Sequence, residues 1–351
     1  LVPLTGKNSE IGQSIIRSTR LAINQINNLS IEIIPKDSGS SPDITLRSAK
    51  ELSKQGVKIV IGPVFNENLI HLNELSELTF LSLTNMNDNR SKNIINAGIN
   101  ATSQLNAIKK FIKINKIKKT IFLTPNVNYK NEVKKAISNS KIKIIENYIY
   151  DADPTKLTKQ IEKITNYENR KQNLEDEIKR LEESDLNNKE QLIEKLNKKD
   201  TLGKVGFEAI IISDYDERLK SVTTSLLYTD VSPNETYFIT LNQWFDKSLL
   251  RETSSQPLYF PSANKANYDN FSNEYFKKYN EYSNPLSFLS FDLVGLVYYL
   301  ILQNNYIVDE KLFNKKTLFQ GKVGIFEIKD NKINHILNFY KIENKKFKKI
   351  F

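Results

Sequence analysis

The sequence predicts an α/β protein with two doubly wound parallel-sheet lobes, a ligand cleft between them, and a helical hairpin inserted in the second lobe. Short apolar stretches alternate with amphipathic helical stretches over residues 1–85, and the same alternation returns over residues 93–155. Strands that alternate with helices favour a parallel sheet covered by helices on both faces. Two such arrays in 351 residues predict two similar lobes.

The first array begins at the first residue. Residues 1–4 have the pattern of a short buried strand and residues 31–34 that of a second, with a helix from near Glu10 between them. Ser41 and Pro42 predict the start of the next helix, because serine caps helices and proline fits the first helical position. The same reasoning predicts strands over residues 57–61 and 80–83 and a helix over residues 66–77.

The second array repeats this order and is then interrupted. It predicts strands over residues 93–98, 120–123, 142–150, 207–212, 236–241 and 257–260, and helices over residues 105–112, 129–140, 267–279 and 286–302. The interruption, residues 156–200, is charged and has apolar residues at three- and four-residue steps, with a turn at residues 184–188. We expect a hairpin of two antiparallel helices. It serves either as a docking arm for another protein or as padding of the lobe.

The order of the elements also predicts the domain boundaries. We expect a first lobe of residues 1–100 with 262–318, and a second lobe of residues 101–261 with 319–351. The hairpin at residues 156–200 would lie within the second lobe. The chain contains no run of about 18 apolar residues, so we expect no transmembrane helix.

Composition narrows the classes of function. Without cysteine the chain has no disulfide, thiolate metal site or cysteine nucleophile. Its two histidines, His71 and His335, are far apart, and we expect both to be solvated. A phosphate-binding loop, a zinc-protease motif and a calcium loop are all missing from the sequence. We therefore expect no metal, no cofactor and no enzymatic activity.

The net charge of +10 and the pI of about 9.3 raise the question of an anionic partner. Lysines occur as pairs on many predicted helices, and they are not interleaved with aromatic residues in one patch. This distribution favours a solvated surface over a nucleic-acid site. A weak attraction to anionic cell-wall polymer or lipid headgroups stays open.

The opening of the chain resembles a known family. Residues 1–6 read Leu-Val-Pro-Leu-Thr-Gly, residues 11–13 Ile-Gly-Gln, residues 21–23 Leu-Ala-Ile and residues 61–63 Ile-Gly-Pro. This series is similar to the first lobe of the type 1 periplasmic binding proteins. Gly-Pro-Val-Phe at residues 62–65, Thr-Leu-Gly at residues 201–203, the helical insertion and Gly-x-x-Gly-x-Phe at residues 321–326 resemble one branch of that family, the penicillin-binding-protein activator lipoproteins.

Ligands of open α/β sheets lie beyond the carboxyl ends of the strands, which gives the candidate site. We expect ligand contacts from Thr5, Phe65, Asn66, Thr84 and Asn85 in the first lobe, and from Asn126, Tyr129, Asp214, Tyr215 and Trp244 in the second. Amino-acid receptors of the family bind the carboxylate with hydroxyls and N–H groups of the first lobe, and the rest of the ligand with a carboxylate and aromatics of the second. The resemblance thus implies that Asp214 meets an ammonium group. The bulky Phe65 departs from the small hydroxyl residue usual at that turn.

The resemblance implies a non-catalytic, exported, periplasmic protein and leaves two functions open. The first is a lipoprotein-like activator of peptidoglycan synthesis that contacts a cell-wall synthase, with a lipid anchor upstream of Leu1. The alternative is the substrate-binding component of an ABC importer for branched-chain or other amino acids, which works with an ABC permease. Neither function involves nucleic acid.

Overall fold

The computed structural model describes residues 1–27, 31–86, 91–309, 312–314, 316–329 and 331–351. It divides into two compact units, the first of Leu1–Gln104 with Ser262–Asn338 and the second of Leu105–Pro261 with Phe339–Phe351. Numbered along the chain, the helices are α1 (Ser9–Ile26), α2 (Pro42–Lys54), α3 (Ala101–Ile114), α4 (Lys130–Ser140), α5 (Pro154–Ile164), α6 (Tyr167–Glu182), α7 (Lys189–Leu196), α8 (Asp216–Tyr228), α9 (Lys265–Tyr279) and α10 (Pro285–Gln303). The strands are β1 (Ile59–Ile61), β2 (Thr79–Ser82), β3 (Ile94–Asn96), β4 (Thr120–Pro125), β5 (Asn147–Tyr150), β6 (Ala209–Ile212), β7 (Tyr237–Thr240), β8 (Leu258–Ser262), β9 (Thr317–Gln320), β10 (Ile325–Lys329), β11 (Lys332–Ile336), β12 (Asn338–Glu343) and β13 (Lys346–Lys349).

The first unit is built on the parallel sheet β1-β2-β3. Residues 1–4, expected as a strand, form only a single parallel bridge from Val2 to Asp37, and the Leu1 amine donates to the Ile61 carbonyl at 2.9 Å. Residues 31–34 form no strand, so that expectation was wrong. The pairing falls at Asp37 instead, after Pro35, which has no N–H to donate to a ladder.

A second, antiparallel sheet of β9, β10 and β11 also belongs to the first unit. We expected residues 319–338 in the second lobe, but two contacts attach this sheet to the first unit. The buried Asp292 carboxylate of α10 accepts the N–H groups of Lys322 and Val323 at 2.9 and 2.6 Å, and the His335 N–H donates to the Ser103 hydroxyl at 3.0 Å.

The two histidines have different environments. His71 is exposed, as expected, but it does not lie in a continuous helix, because its left-handed backbone (φ 71°) separates two short 3₁₀ helices, Asn66–Leu69 and Leu72–Glu74. His335 is only 4% exposed, and its Nε2 lies 2.9 Å from the Ala97 carbonyl oxygen. The expectation of a solvated His335 was wrong because β11 packs against β3.

Helices α1 and α10 of the first unit pack against each other. The Ser14 and Ser287 hydroxyls lie 2.6 Å apart between the two helices. A side chain at Gly12 would place its Cβ 1.6 Å from the Pro3 carbonyl oxygen, so α1 can lie this close to the opening segment only with glycine there. The sequence suggested no membrane span, yet α10 is long and apolar enough to be one, with a mean hydropathy of 1.8. Its contact with α1 and its buried side chains are those of a core helix.

The second unit has one seven-stranded sheet in the order β13-β12-β8-β7-β6-β4-β5, parallel from β8 to β5. The chain crosses from β4 outward to β5 through α4, then reverses to reach β6 after α5 and β7 after α8. Right-handed crossovers in opposite directions place helices on opposite faces, so α4 covers one face and α5 and α8 the other. Helix α3 joins α4, because Lys109 Nζ donates to the Ser140 carbonyl at 2.9 Å.

The insertion is three helices, not the two expected over residues 156–200. Helix α5 packs on α8 through buried residues such as Leu157 and ends before Asn166, whose φ is 53°. The hairpin proper is α6 and α7, with Leu174 and Leu181 buried. Arg170, 4% exposed, attaches its base to the unit through hydrogen bonds to the Thr165 carbonyl (3.0 Å), the Thr201 hydroxyl (3.0 Å) and the Thr229 carbonyl.

Candidate functional site

In the first unit, the turns after β1 and β2 lie side by side at the carboxyl edge of the sheet. The strands are parallel, with Ile61 opposite Leu81, and the Pro63 carbonyl accepts hydrogen bonds from the Leu83 N–H at 3.0 Å and from the Ser82 hydroxyl at 3.1 Å. The residues expected to contact ligand from these two turns are Phe65, Asn66, Thr84 and Asn85. The pairing therefore brings these four residues to one edge.

Thr5 is fixed by an aspartate that sequence reasoning missed. Its hydroxyl donates to Asp37 Oδ2 at 2.6 Å, while Asp37 Oδ1 accepts the N–H groups of Leu4 (2.7 Å) and Gly39 (2.8 Å). Burial acts to raise the pKa of Asp37, but these hydrogen bonds outweigh it and hold the pKa below its usual value. Thr5 keeps its oxygen lone pairs for a further donor.

Thr84 is buried at the end of β2, and Asn85 is exposed beside it. The Thr84 hydroxyl accepts the Met86 N–H at 3.2 Å, and its carbonyl accepts the Gly98 N–H at 3.2 Å. A Cβ on Gly98 would lie 2.3 Å from that carbonyl oxygen, so glycine is required for this close approach. Phe65 is half-buried in an extended conformation just before the 3₁₀ helix Asn66–Leu69.

In the second unit, the site is organised around the fully buried Asp214 at the end of β6. Oδ2 accepts the Tyr150 hydroxyl at 2.6 Å, and Oδ1 accepts the Tyr215 N–H at 3.0 Å and Arg218 Nε at 2.9 Å. The Tyr129 hydroxyl donates to the Ser213 carbonyl at 3.1 Å and lies 3.3 Å from Asp214 Oδ1. The carboxylate is thus surrounded by donors from the ends of neighbouring strands.

Electrostatics keep the three tyrosines of this cluster protonated near neutral pH. Burial, and then the Asp214 charge, raise the pKa of Tyr129, Tyr150 and Tyr215, so all three hydroxyls stay protonated. For Arg218, burial acts to lower the pKa, but the Asp214 charge outweighs it and the pKa is raised. The Arg218 side chain is 45% exposed, and within the described residues its only recorded bond is the one from Nε.

The remaining second-unit candidates lie along the same edge. Asn126 follows β4, is exposed, and accepts a bond from Lys130 Nζ at 2.7 Å. Trp244, after β7, is half-buried with φ 46°, and Gln243 next to it donates to the Asp214 carbonyl at 3.2 Å. The structure therefore brings together all five second-unit candidates: Asn126, Tyr129, Asp214, Tyr215 and Trp244.

Tyr150, Arg218 and Gln243 were not among the sequence candidates. Tyr150 ends a predicted strand, and Arg218 lies four residues after Asp214, a spacing that pairs side chains on a helix. Those two signals could have identified them. Gln243 follows the strand predicted over residues 236–241, next to the candidate Trp244, so its position was also a signal.

This arrangement presents a cation rather than an anion at the second-unit edge. Asp214 is inaccessible and its charge is offset by Arg218, so an ammonium group would have to displace the guanidinium. The exposed part of Arg218, with Tyr129 and Tyr215 in edge contact (6.1 Å between ring centroids), suits a carboxylate or an aromatic group. Within the described residues, no group of three or more His, Asp or Glu side chains is placed to hold a metal.

Comparisons with known proteins agree with this architecture. Residues 1–167 match the family model described as periplasmic binding protein, and a search of curated proteins finds no match. A putative branched-chain amino acid ABC transporter protein from Rhodospirillum rubrum is similar in structure, with a TM-score of 0.72 at 11% identity over 99% of this chain and 98% of its own.

Two further structures contain ligands. LivJ, the branched-chain amino acid transporter substrate-binding protein of Streptococcus pneumoniae, in complex with isoleucine, has a TM-score of 0.59 at 16% identity over 99% of this chain and 96% of its own. A solute-binding protein of an ABC transporter from Rhodopseudomonas palustris BisB5, in complex with 3,4-dihydroxybenzoic acid, has a TM-score of 0.60. The two are 16% identical over 97% of this chain and 90% of its own.

At identities of 11–16%, these structures show the fold that the chain shares with them. The two-unit α/β fold expected from the sequence is confirmed. The chain therefore has the fold of the type 1 periplasmic binding protein superfamily, and its residues 1–167 match the periplasmic binding protein family.

Proposed function

We propose that the chain is the substrate-binding component of an ABC importer outside the cytoplasm, and that its ligand is a small organic molecule with a carboxylate. The observation that carries this proposal is the cluster at the carboxyl edge of the second unit, where a half-exposed Arg218 is held by the buried Asp214. The similarity to solute-binding proteins supports the same reading.

In this proposal Arg218 binds the carboxylate of the ligand, and Tyr129, Tyr215 and Trp244 contact its apolar part. Asp214 is a positioning residue, because it orients Arg218 and the tyrosines without being accessible itself.

A thermal-shift screen tests the proposal. The panel contains leucine and isoleucine as amino acids, and benzoate, 4-hydroxybenzoate and 3,4-dihydroxybenzoate as carboxylates without an ammonium group. A ligand at a hundredfold excess over its Kd stabilises the folded protein by about 2.7 kcal/mol, which gives a clear rise in Tm. We expect at least one carboxylate to raise Tm, whereas a panel without any shift would contradict the proposal.

The variant Arg218→Gln tests whether the ligand binds at the second-unit cluster. Charge-assisted hydrogen bonds contribute about 1.5–3 kcal/mol, so the variant should bind a carboxylate roughly ten- to a hundredfold more weakly. Lys220→Gln is the matched control: it removes a positive charge two residues further along α8, where Lys220 pairs with Glu217 at 2.7 Å. Equal losses in both variants would place the ligand elsewhere.

An activator that acts by protein contact is a second candidate, and the hairpin of α6 and α7 favours it. Helix α7 buries none of its side chains, and Leu186 in the connecting turn is 49% exposed. Replacement of residues 171–199 by a short Gly-Ser linker after Arg170 should abolish capture of a cell-wall synthase. Unchanged capture would rule out the hairpin as the contact.

A further inference from the structure

The positive charge of the second unit is concentrated in part of its sequence. Residues 105–150 contain eleven lysines and two acidic residues, Glu132 and Glu146, and residues 339–351 contain five lysines and Glu343. Residues 151–261, in contrast, have 21 acidic and 16 basic residues. The excess charge therefore belongs to α3, β4, α4, β5 and the β12–β13 hairpin, and the rest of the unit is acidic.

The fold gathers these lysines on one face. Helices α3 and α4 cover the same side of the sheet, and Phe111 of α3 stacks on Phe339 of β12 at 4.6 Å between ring centroids. Phe347 of β13 packs on Phe245 and Phe260, so the alternating Lys346 and Lys348 point to the opposite side of the strand. We define the lysine face by its exposed members, Lys110, Lys113, Lys116, Lys118, Lys141, Lys143, Lys346 and Lys348.

The densest part of the lysine face lies at the edge opposite the candidate ligand site. The C-terminal ends of α3 and α4 lead into β4 and β5 at the amino edge of the sheet, and the Ile145 N–H donates to the Thr120 carbonyl there at 2.7 Å. Ile114 and Ile145 are 55% and 56% exposed among these lysines. The ligand residues follow the other ends of the same strands, so an occupied lysine face leaves them accessible within this unit.

The chemistry of the face distinguishes between anionic partners. All sixteen basic residues of the two segments are lysines, and none is the arginine that binds nucleic-acid phosphates bidentately. Lys348 of the face pairs with Glu343, which also pairs with Lys341. Lysines with flexible apolar stems around exposed isoleucines suit a lipid surface, where charge meets headgroups and apolar side chains enter between them.

We propose that the lysine face docks the second unit on a membrane surface of anionic lipid. This inference goes beyond solute binding and does not depend on it. Some of these lysines also end helices, where positive charge stabilises the helix locally. That role explains single lysines such as Lys113, but it does not explain the lysines of β13, which is a strand.

Vesicle co-sedimentation tests the proposal with the full chain. Vesicles of phosphatidylcholine with about 30% phosphatidylglycerol should bind the protein at about 50 mM salt and release it at about 500 mM, whereas phosphatidylcholine alone should not bind it. A triple variant, Lys113→Gln, Lys118→Gln and Lys143→Gln, should weaken binding roughly a hundredfold, because each lysine contributes roughly fivefold.

The matched control is Lys159→Gln, Lys163→Gln and Lys171→Gln, which removes the same charge from exposed positions on α5 and α6. It should bind nearly as well as the unaltered protein. Equal weakening of both variants would show a net-charge effect and overturn the proposal, as would no binding to anionic vesicles at low salt. Tighter, patch-dependent binding to a DNA oligonucleotide than to the vesicles would assign the face to nucleic acid instead.

Discussion

Two buried groups of the first unit should affect stability in opposite directions as the pH falls. Burial lowers the pKa of His335 to about 4, although the Ala97 carbonyl acts in the opposite direction. Burial raises the pKa of Asp292 to about 6, although the Val323 and Lys322 N–H groups and the Lys322 charge lower it. Both side chains are almost fully inaccessible, so neither shift is screened by solvent.

The sign for each group follows from proton linkage. For His335 the unfolded chain takes up the proton first, so its contribution to stability is lost as the pH falls from 6.5 towards 4, by about 3 kcal/mol in total. For Asp292 the folded state takes up the proton first, so stability is gained as the pH falls from 6 towards 3.8, again by about 3 kcal/mol. In the unaltered protein the two terms nearly cancel between pH 4 and 6.

Single substitutions should reveal the contribution of each group to the pH dependence of stability. In His335→Gln, which keeps a donor for the Ala97 carbonyl, the free energy of unfolding should rise relative to the unaltered protein as the pH falls from 6.5 to 4.5. In Asp292→Asn it should fall. Urea unfolding followed by circular dichroism at pH 6.5, 5.5 and 4.5 measures both slopes. The same pH dependence in all three proteins would show that neither His335 nor Asp292 titrates with a shifted pKa.

Two further predictions concern packing. Arg170→Met removes the hydrogen bonds that attach α6 to the unit and leaves two carbonyls without donors, so it should lower the free energy of unfolding by about 3 kcal/mol in urea titrations, whereas the exposed neighbour change Lys171→Met should have little effect. Gly98→Ala should displace the Thr84 turn and lower Tm, whereas Gly206→Ala, with open space around it, should leave Tm unchanged. A larger loss of Tm in Gly206→Ala than in Gly98→Ala would contradict the close approach at Gly98.

Periodicity and cap residues predicted much of the fold because they act locally. Helix α2 starts at Pro42 after Ser41, as expected, and β5, β6 and β7 fall within their predicted ranges, while β4 and β8 each end two residues later than predicted. Residues 31–34 have the composition of a strand but do not pair. The antiparallel sheet of β9, β10 and β11 was assigned to the wrong lobe because its attachment through Asp292 is a long-range contact.

The candidate site was predicted to the same extent: its residues were found from local patterns, but their long-range contacts were not. The ends of the strands identified Tyr129, Asp214 and Tyr215, which the structure gathers in one cluster. The expected role of Asp214 as a partner for an ammonium group depended on its being accessible. The burial of Asp214 and its hydrogen bond from Tyr150 are tertiary properties, whereas its pairing with Arg218 is local. Together they change the charge offered to a ligand from negative to positive.

Isothermal titration calorimetry shows whether Arg218 binds the ligand, with the carboxylate that gives the largest shift in the thermal screen. We expect saturable binding by the unaltered protein, at least tenfold weaker binding by Arg218→Gln, and nearly unchanged binding by Lys220→Gln. Binding of full strength by Arg218→Gln, or no measurable heat with any carboxylate of the panel, would contradict a carboxylate site at Arg218.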